Sequence, residues 1–230
     1  MNNFLEMSKK NRELIFSYVL INTIVLLGCF FMIILTDNSY EEDLTGKMYL
    51  YYSIFQLILN SILITLWEWE KKGFFHIAMF TLSSFPHTIL LLSVNNMSGL
   101  YGLFPLIIQY IWAMVIISIK NMMMYKGKSD FHIQLILKIF ICTVIIFSLI
   151  FFYYYYEYRN LVIVSIFDRR IPLIFFLNPV MTSAGTAASQ LGQPNYLGHK
   201  PLGIFCIFWI LISLGISILI KHGRPCYEKK

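Results

Sequence analysis

The chain has 230 residues, of which 58% are hydrophobic and 13% charged, against about 25% charged in ordinary soluble domains. That balance argues against a soluble globular enzyme and for an integral membrane protein, since no polar stretch is long enough to form a separate soluble domain. The formal charge of +6 sits in short loops beside apolar runs and not along an exposed polar face, which argues against a nucleic-acid partner.

Residues 1–14 mix Phe4, Leu5 and Met7 with Lys9, Lys10 and Arg12. The pattern fits either a short interfacial helix or a solvated basic tail. A first membrane span is expected over 15–36, too long and too poor in small-residue cleavage signals for a removed leader. The acidic, turn-rich loop Asp37 to Asp43 follows. A second span is expected over 48–67, ending in Trp67-Glu68-Trp69-Glu70-Lys71-Lys72, where tryptophan marks the headgroup level and the charges mark water. The third, over 73–94, is interrupted by Ser83-Ser84-Phe85-Pro86-His87, and a proline at that depth kinks a helix or begins a new one. Asn95 to Gly99 reads as a turn. The fourth span, over 100–119, carries Pro105 in its first turns, where proline is tolerated. A basic loop leads to the fifth, over 131–156, which closes on the cluster Tyr153-Tyr154-Tyr155-Tyr156.

Between there and the sixth span, over 201–220, lies the longest departure from plain apolar sequence. It holds Asp168-Arg169-Arg170, Pro172, Asn178-Pro179 and the small-residue tract Thr182 to Ser189. Such backbone is tolerated at membrane depth only where it is buried in protein, lines a cavity or lies at the interface. The expected fold is therefore an all-α integral membrane protein of one domain, with six transmembrane helices and a re-entrant or interfacial segment between spans 5 and 6.

Six spans divide the 18 lysines and arginines into 13 on the side of both termini and five on the other. The positive-inside rule then places both termini in the cytoplasm. Spans 1–3 and 4–6 share no motif, so an inverted repeat is not expected.

Candidate chemistry is sparse. His87 is the ionisable residue best placed within a span, where it would relay a proton or bind a substrate group, or instead bond a carbonyl freed by Pro86. Lys138 is expected to snorkel to the headgroups, and Asn22, Gln56, Asn60 and Gln109 to make helix-to-helix hydrogen bonds. His-Glu-x-x-His, Gly-x-Ser-x-Gly and the phosphate-cradling Gly-x-x-x-x-Gly-Lys-Ser/Thr are all missing from the sequence, so no catalytic residue, metal ligand or bound cofactor is expected. Cys29, Cys142, Cys206 and Cys226 form no close pair and no metal-ligand spacing. The elbow Glu68 to Phe80 sets charges beside Phe74, Phe75 and Phe80, which would serve as anchors for a cytosolic partner or, equally simply, face lipid.

Six spans, cytoplasmic termini, an elbow after span 2 that opens with Glu68 and Glu70 ahead of Gly73, and an outer segment carrying Pro172 and then Asn178-Pro179 together resemble the membrane subunits of type-2 ABC export permeases. The nearest flavour is the small permeases of bacterial peptide-antibiotic export and immunity. The resemblance spans the whole chain and rests on layout. It implies a subunit of the bacterial cell membrane that pairs with a second copy or a paralogous permease and docks a cytosolic ABC ATPase, ATP and Mg being held by that partner. The ATPase-coupling elbow would be Glu68, Glu70, Lys71, Lys72, Gly73, Phe74 and Phe75. The external gate segment would be Asp168, Arg169, Arg170, Pro172, Asn178 and Pro179, with His87 on the pathway. The substrate would be an amphiphile, such as an antimicrobial peptide or lipid-linked drug. One departure stands out: with Pro86 closing the elbow, few residues remain before Lys120 for spans 3 and 4, so either the elbow is compressed into 68–76 or span 3 is differently placed. The alternatives from other classes are an ATP-independent immunity or assembly protein and a membrane enzyme using His87 or Asp168-Arg169-Arg170.

Overall fold

The computed structural model describes residues 7–35, 41–68, 73–94, 100–156, 177–190 and 200–222. Among them every regular element is helical: α1 (Lys9–Leu35), α2 (Glu41–Ile64), α3 (Gly73–Leu82), α4 (Phe85–Val94), a 3-10 turn (Leu100–Leu103), α5 (Phe104–Tyr125), α6 (Asp130–Tyr156), α7 (Pro179–Gln190) and α8 (Lys200–His222). Among the described residues, five segments are long and apolar enough to cross a membrane: Lys9–Met32, Phe74–Val94, Phe104–Tyr125, Asp130–Ile150 and Leu202–Ile220. The chain is thus an all-α protein of multi-pass membrane type.

Local chemistry sets the helix ends. Ser8 opens α1 by accepting the Asn11 amide on its Oγ at 3.2 Å, as an N-cap residue does. The charged residues Lys9 to Glu13 are therefore the first turns of the membrane helix, not a separate tail. Glu41, Glu42 and Asp43, expected in a loop, begin α2. Pro86 begins a new helix: α3 and α4 meet at a turn over Ser83 and Ser84, and the Thr88 amide bonds the Ser84 carbonyl at 3.2 Å. A proline in the first turn of α4 lacks only an N–H that would have had no partner. At the end of α5, Gly127 has φ 69°, a left-handed conformation that suits glycine, and its amide returns to the Met124 carbonyl at 3.0 Å.

α5 is the hub. It packs along α8 and also touches α2, α3, α6 and α7. Its buried face, Ile108, Trp112, Val115 and Ile116 among others, is the largest part of one continuous apolar core. Trp112 meets Trp209 edge-on at 5.1 Å and Phe140 at 6.0 Å, tying α8 and α6 to α5. The outer faces of α1, α6 and α8 are apolar as well, with Leu20, Ile24 and Phe31, Leu135 and Ile139, and Ile207, Leu211 and Leu214 all exposed. A helix apolar on both faces fits a bundle whose surroundings are hydrocarbon.

α2 differs in where its polar residues lie. At 24 residues it rises about 36 Å, and Tyr49, Tyr52, Ser53, Gln56, Asn60 and Ser61 point inward, all buried among neighbouring helices.

Candidate functional site

Buried polar residues from α1, α2, α4 and α5 converge within the bundle. On α1, Tyr18 and Asn22 stand one turn apart; on α2, so do Gln56 and Asn60. That spacing puts each pair on one helix face. The Tyr18 hydroxyl reaches Gln109 Oε1 at 3.1 Å and Ser84 Oγ at 3.4 Å. Gln109 Nε2 donates to Gln56 Oε1 at 3.4 Å, and Thr88 Oγ1 lies 3.4 Å from the same oxygen. Tyr52 donates to Asn22 Oδ1 at 3.2 Å, and Asn22 Nδ2 to the Tyr18 carbonyl at 2.7 Å. No member of this cluster carries a formal charge.

The network is incomplete. Gln56 Nε2 and both side-chain atoms of Asn60 are buried without a hydrogen-bond partner, and both residues are fully buried. Interhelical hydrogen bonds in membrane bundles contribute about 0.6 kcal/mol each, whereas an orphaned buried polar group costs about 1–3 kcal/mol. The bonds that the cluster makes do not by themselves offset the burial of Gln56 and Asn60.

His87 borders the cluster. Its Nε2 lies 2.8 Å from Thr23 Oγ1, and that hydroxyl also reaches the Val19 carbonyl at 2.9 Å. The imidazole thereby ties α4 to α1, and it also interacts with the Ser84 backbone two residues before Pro86.

A second set of contacts lies at the far end of α2. Beyond Ile64 the chain makes a turn whose carbonyls no longer have helical partners, and Lys120 of α5 supplies them. Its Nζ donates to the Thr65 carbonyl at 2.8 Å and the Trp67 carbonyl at 2.6 Å. From α1, the Asn11 carboxamide makes a reciprocal pair with the Glu68 backbone, both bonds at 2.9 Å, and Lys10 pairs with the Glu68 carboxylate at 3.1 Å. The start of α1, the end of α2 and the last turns of α5 therefore lie at one end of the bundle.

Of the elbow residues, Glu68 belongs to this clamp, Gly73 opens α3, and Phe74 and Phe75 on α3 are exposed; Glu70, Lys71 and Lys72 lie outside the described residues. Phe80, expected as a third anchor, is fully buried between Tyr18 at 4.7 Å and Trp67 at 5.3 Å. Trp67, expected at the headgroup level, is itself 1% exposed: the turn after α2 folds its indole back under α3. No family model, curated protein or solved structure matches the chain.

Of the outer segment, Asp168, Arg169, Arg170 and Pro172 lie outside the described residues. Asn178 and Pro179 open α7. Asn178 Oδ1 accepts the Val180 and Met181 amides at 3.0 and 3.2 Å and the Ser148 hydroxyl of α6 at 2.7 Å, while Pro179 occupies the first helical position, as at many helix starts. Trp209 of α8 donates to the Leu177 carbonyl at 2.8 Å. The small residues Thr182, Ser183, Ala184, Thr186 and Ala187 bury α7 against α2 and α5, since small side chains let helices approach closely. Among the described residues no three His, Cys, Asp or Glu side chains are grouped to hold a metal ion.

The elbow and the outer segment are the stretches whose sequence stands out. The polar cluster drew less notice because each of its residues alone reads as an ordinary interhelical bond. The signal that could have found it is the one-turn pairing of Tyr18 with Asn22 and of Gln56 with Asn60 inside otherwise apolar runs.

Proposed function

We propose that the chain is the membrane-spanning permease subunit of an ATP-driven exporter of type-2 ABC layout, moving an amphiphilic substrate such as an antimicrobial peptide or lipid-linked drug. In this reading α2 is the sixth crossing, joining α1, α3 with α4, α5, α6 and α8, and both termini face the cytoplasm. α7 forms a re-entrant segment at the outer side, and a second copy or a paralogue completes the pathway. The observation that carries the reading is α7. At 12 residues it rises about 18 Å, short of the ~30 Å of hydrocarbon, yet it is buried inside the bundle instead of lying on its surface. Broken helices at membrane depth belong where protein or a cavity surrounds them.

ATP hydrolysis would occur on a separate ATPase docked at the α2–α3 elbow, with Phe74 and Phe75 as its apolar contacts. Purification of the tagged chain from its native membrane tests this. An ABC ATPase is expected to accompany it, and Phe74→Asp or Phe75→Asp to release that ATPase while the chain stays folded. Purification without any ATPase would overturn the reading, and retention of the ATPase in both variants would overturn the elbow assignment. A second reading, an ATP-independent immunity or assembly protein, is favoured by the clamp on Glu68, which fastens the elbow to α1 and α5 instead of leaving it free to transmit motion.

A further inference from the structure

Gln56 and Asn60 leave a set of hydrogen-bonding groups without a well-formed bond inside the bundle: the Tyr18 hydroxyl neighbours Asn60 and the Tyr52 hydroxyl neighbours Gln56, yet neither meets the Gln56 Nε2 or the Asn60 carboxamide in hydrogen-bond geometry. Gln56 Nε2 offers two N–H donors, and Asn60 offers two more together with the acceptor Oδ1. Both residues are fully buried, and one turn of α2 separates them, so the unanswered groups share a face. Gln56 cannot answer Asn60 with its own oxygen, because Oε1 already faces Gln109 and Thr88. The chemistry of these groups limits what fits. Free N–H groups repel a cation, the free Oδ1 repels an anion, and no charged side chain belongs to the cluster to balance either. What remains is a neutral group that both accepts and donates.

We infer that Gln56 and Asn60 form an internal binding site for a small neutral donor–acceptor molecule, enclosed by α1, α2, α4 and α5. Water is the smallest such molecule; a hydroxyl or amide group of a solute has the same chemistry. The site lies where Tyr18 and Gln109 join the four helices, so an occupant extends the network from Tyr18 through Gln109 and Gln56 to Asn60. Buried polar groups without protein partners are where ordered water is held. The inference goes beyond the permease reading and does not depend on an ATPase.

The test is magnetisation transfer from water to side-chain carboxamides in the full chain, 15N-labelled at Asn, Gln and Trp and reconstituted in lipid bilayers. The Trp112 indole N–H, buried and bonded to Ser61 Oγ at 3.1 Å, is the dry reference. Transfer to Gln56 and Asn60 severalfold faster than to Trp112 is expected for a water-filled site, and Asn60→Leu should then slow transfer to Gln56 severalfold. Slow transfer combined with shifts of both carboxamides on adding acetamide or glycerol would assign the site to a solute instead of water and equally support it. Slow transfer with neither probe moving the carboxamides would overturn the inference, as would Gln56 transfer that is unaffected by Asn60→Leu; if that variant does not fold, the unaltered protein alone decides the matter.

Discussion

At Lys120 a single cation replaces the partners that the end of a helix lacks. Hydrogen bonds to charged groups contribute about 1.5–3 kcal/mol, and Lys120 makes two, to the carbonyls of Thr65 and Trp67. Lys120→Met should lower stability by about 2 kcal/mol, read as an earlier midpoint of unfolding in detergent micelles; an unchanged midpoint would contradict the capping role. The same scale separates the two residues that hold Glu68. Lys10 and Glu68 are each about half exposed, and exposed ion pairs contribute about 0.2–1 kcal/mol. Asn11 is fully buried and answers two backbone groups, so Asn11→Ala should cost about 1–3 kcal/mol, clearly more than Lys10→Ala in the same unfolding measurement. Neither role was legible in the sequence. Lys120 reads as the start of a basic loop, and its partners are main-chain oxygens more than 50 positions away that carry no sequence signature. Phe80 misled for a related reason: beside Phe74 and Phe75 it looks like one of three anchors, and only the folding of Trp67 and Tyr18 around it makes it core.

Element boundaries were more readable where the cause is local. Pro86 announces a break within two residues of the turn at Ser83 and Ser84, and Asn178-Pro179 announces a helix start that needs no distant partner. Asn178→Ala removes the cap and should cost about 1 kcal/mol, seen as faster hydrogen exchange at Val180 and Met181, whereas Asn178→Ser should keep most of the protection. What the sequence did not announce is where α7 lies, because its packing against α2 and α5 depends on several small side chains meeting surfaces far along the chain. The turn over Leu100–Leu103 is similarly nonlocal. A Cβ on Gly102 would stand 2.5 Å from Leu92 Cδ2, while the Gly102 carbonyl accepts the Tyr49 hydroxyl at 2.7 Å. Gly102→Ala should therefore destabilise the bundle in the unaltered chain and cost less in a Leu92→Ala background, read as midpoints of thermal unfolding. An equal cost in both backgrounds would mean the backbone, not Leu92, is the obstacle.

Over the whole molecule, the polarity is turned inward. The faces of α1, α6 and α8 that point away from the core are apolar, whereas the carboxamides and tyrosine hydroxyls of α1, α2 and α5 meet inside. Composition made the membrane class legible at once, since apolar runs of sufficient length are a property of the sequence alone. The number of crossings is less direct to read: a helix surrounded by other helices is free to carry Tyr49, Tyr52, Gln56 and Asn60, so hydropathy alone does not decide whether α2, expected as the span over 48–67, crosses. Whether α2 crosses decides the parity of the bundle. Six crossings put both ends of the chain on one side, and five put them on opposite sides. The direct measurement uses a chain whose sole cysteine is Cys226, with Cys29, Cys142 and Cys206 replaced by alanine, and a protease-cleavable tag at the N-terminus. Intact cells, their outer barrier made permeable where one is present, are treated with a membrane-impermeant maleimide and with protease. The account expects Cys226 to stay unlabelled and the tag uncut until the membrane is opened, and then both to react; reaction of one end alone in intact cells would contradict it.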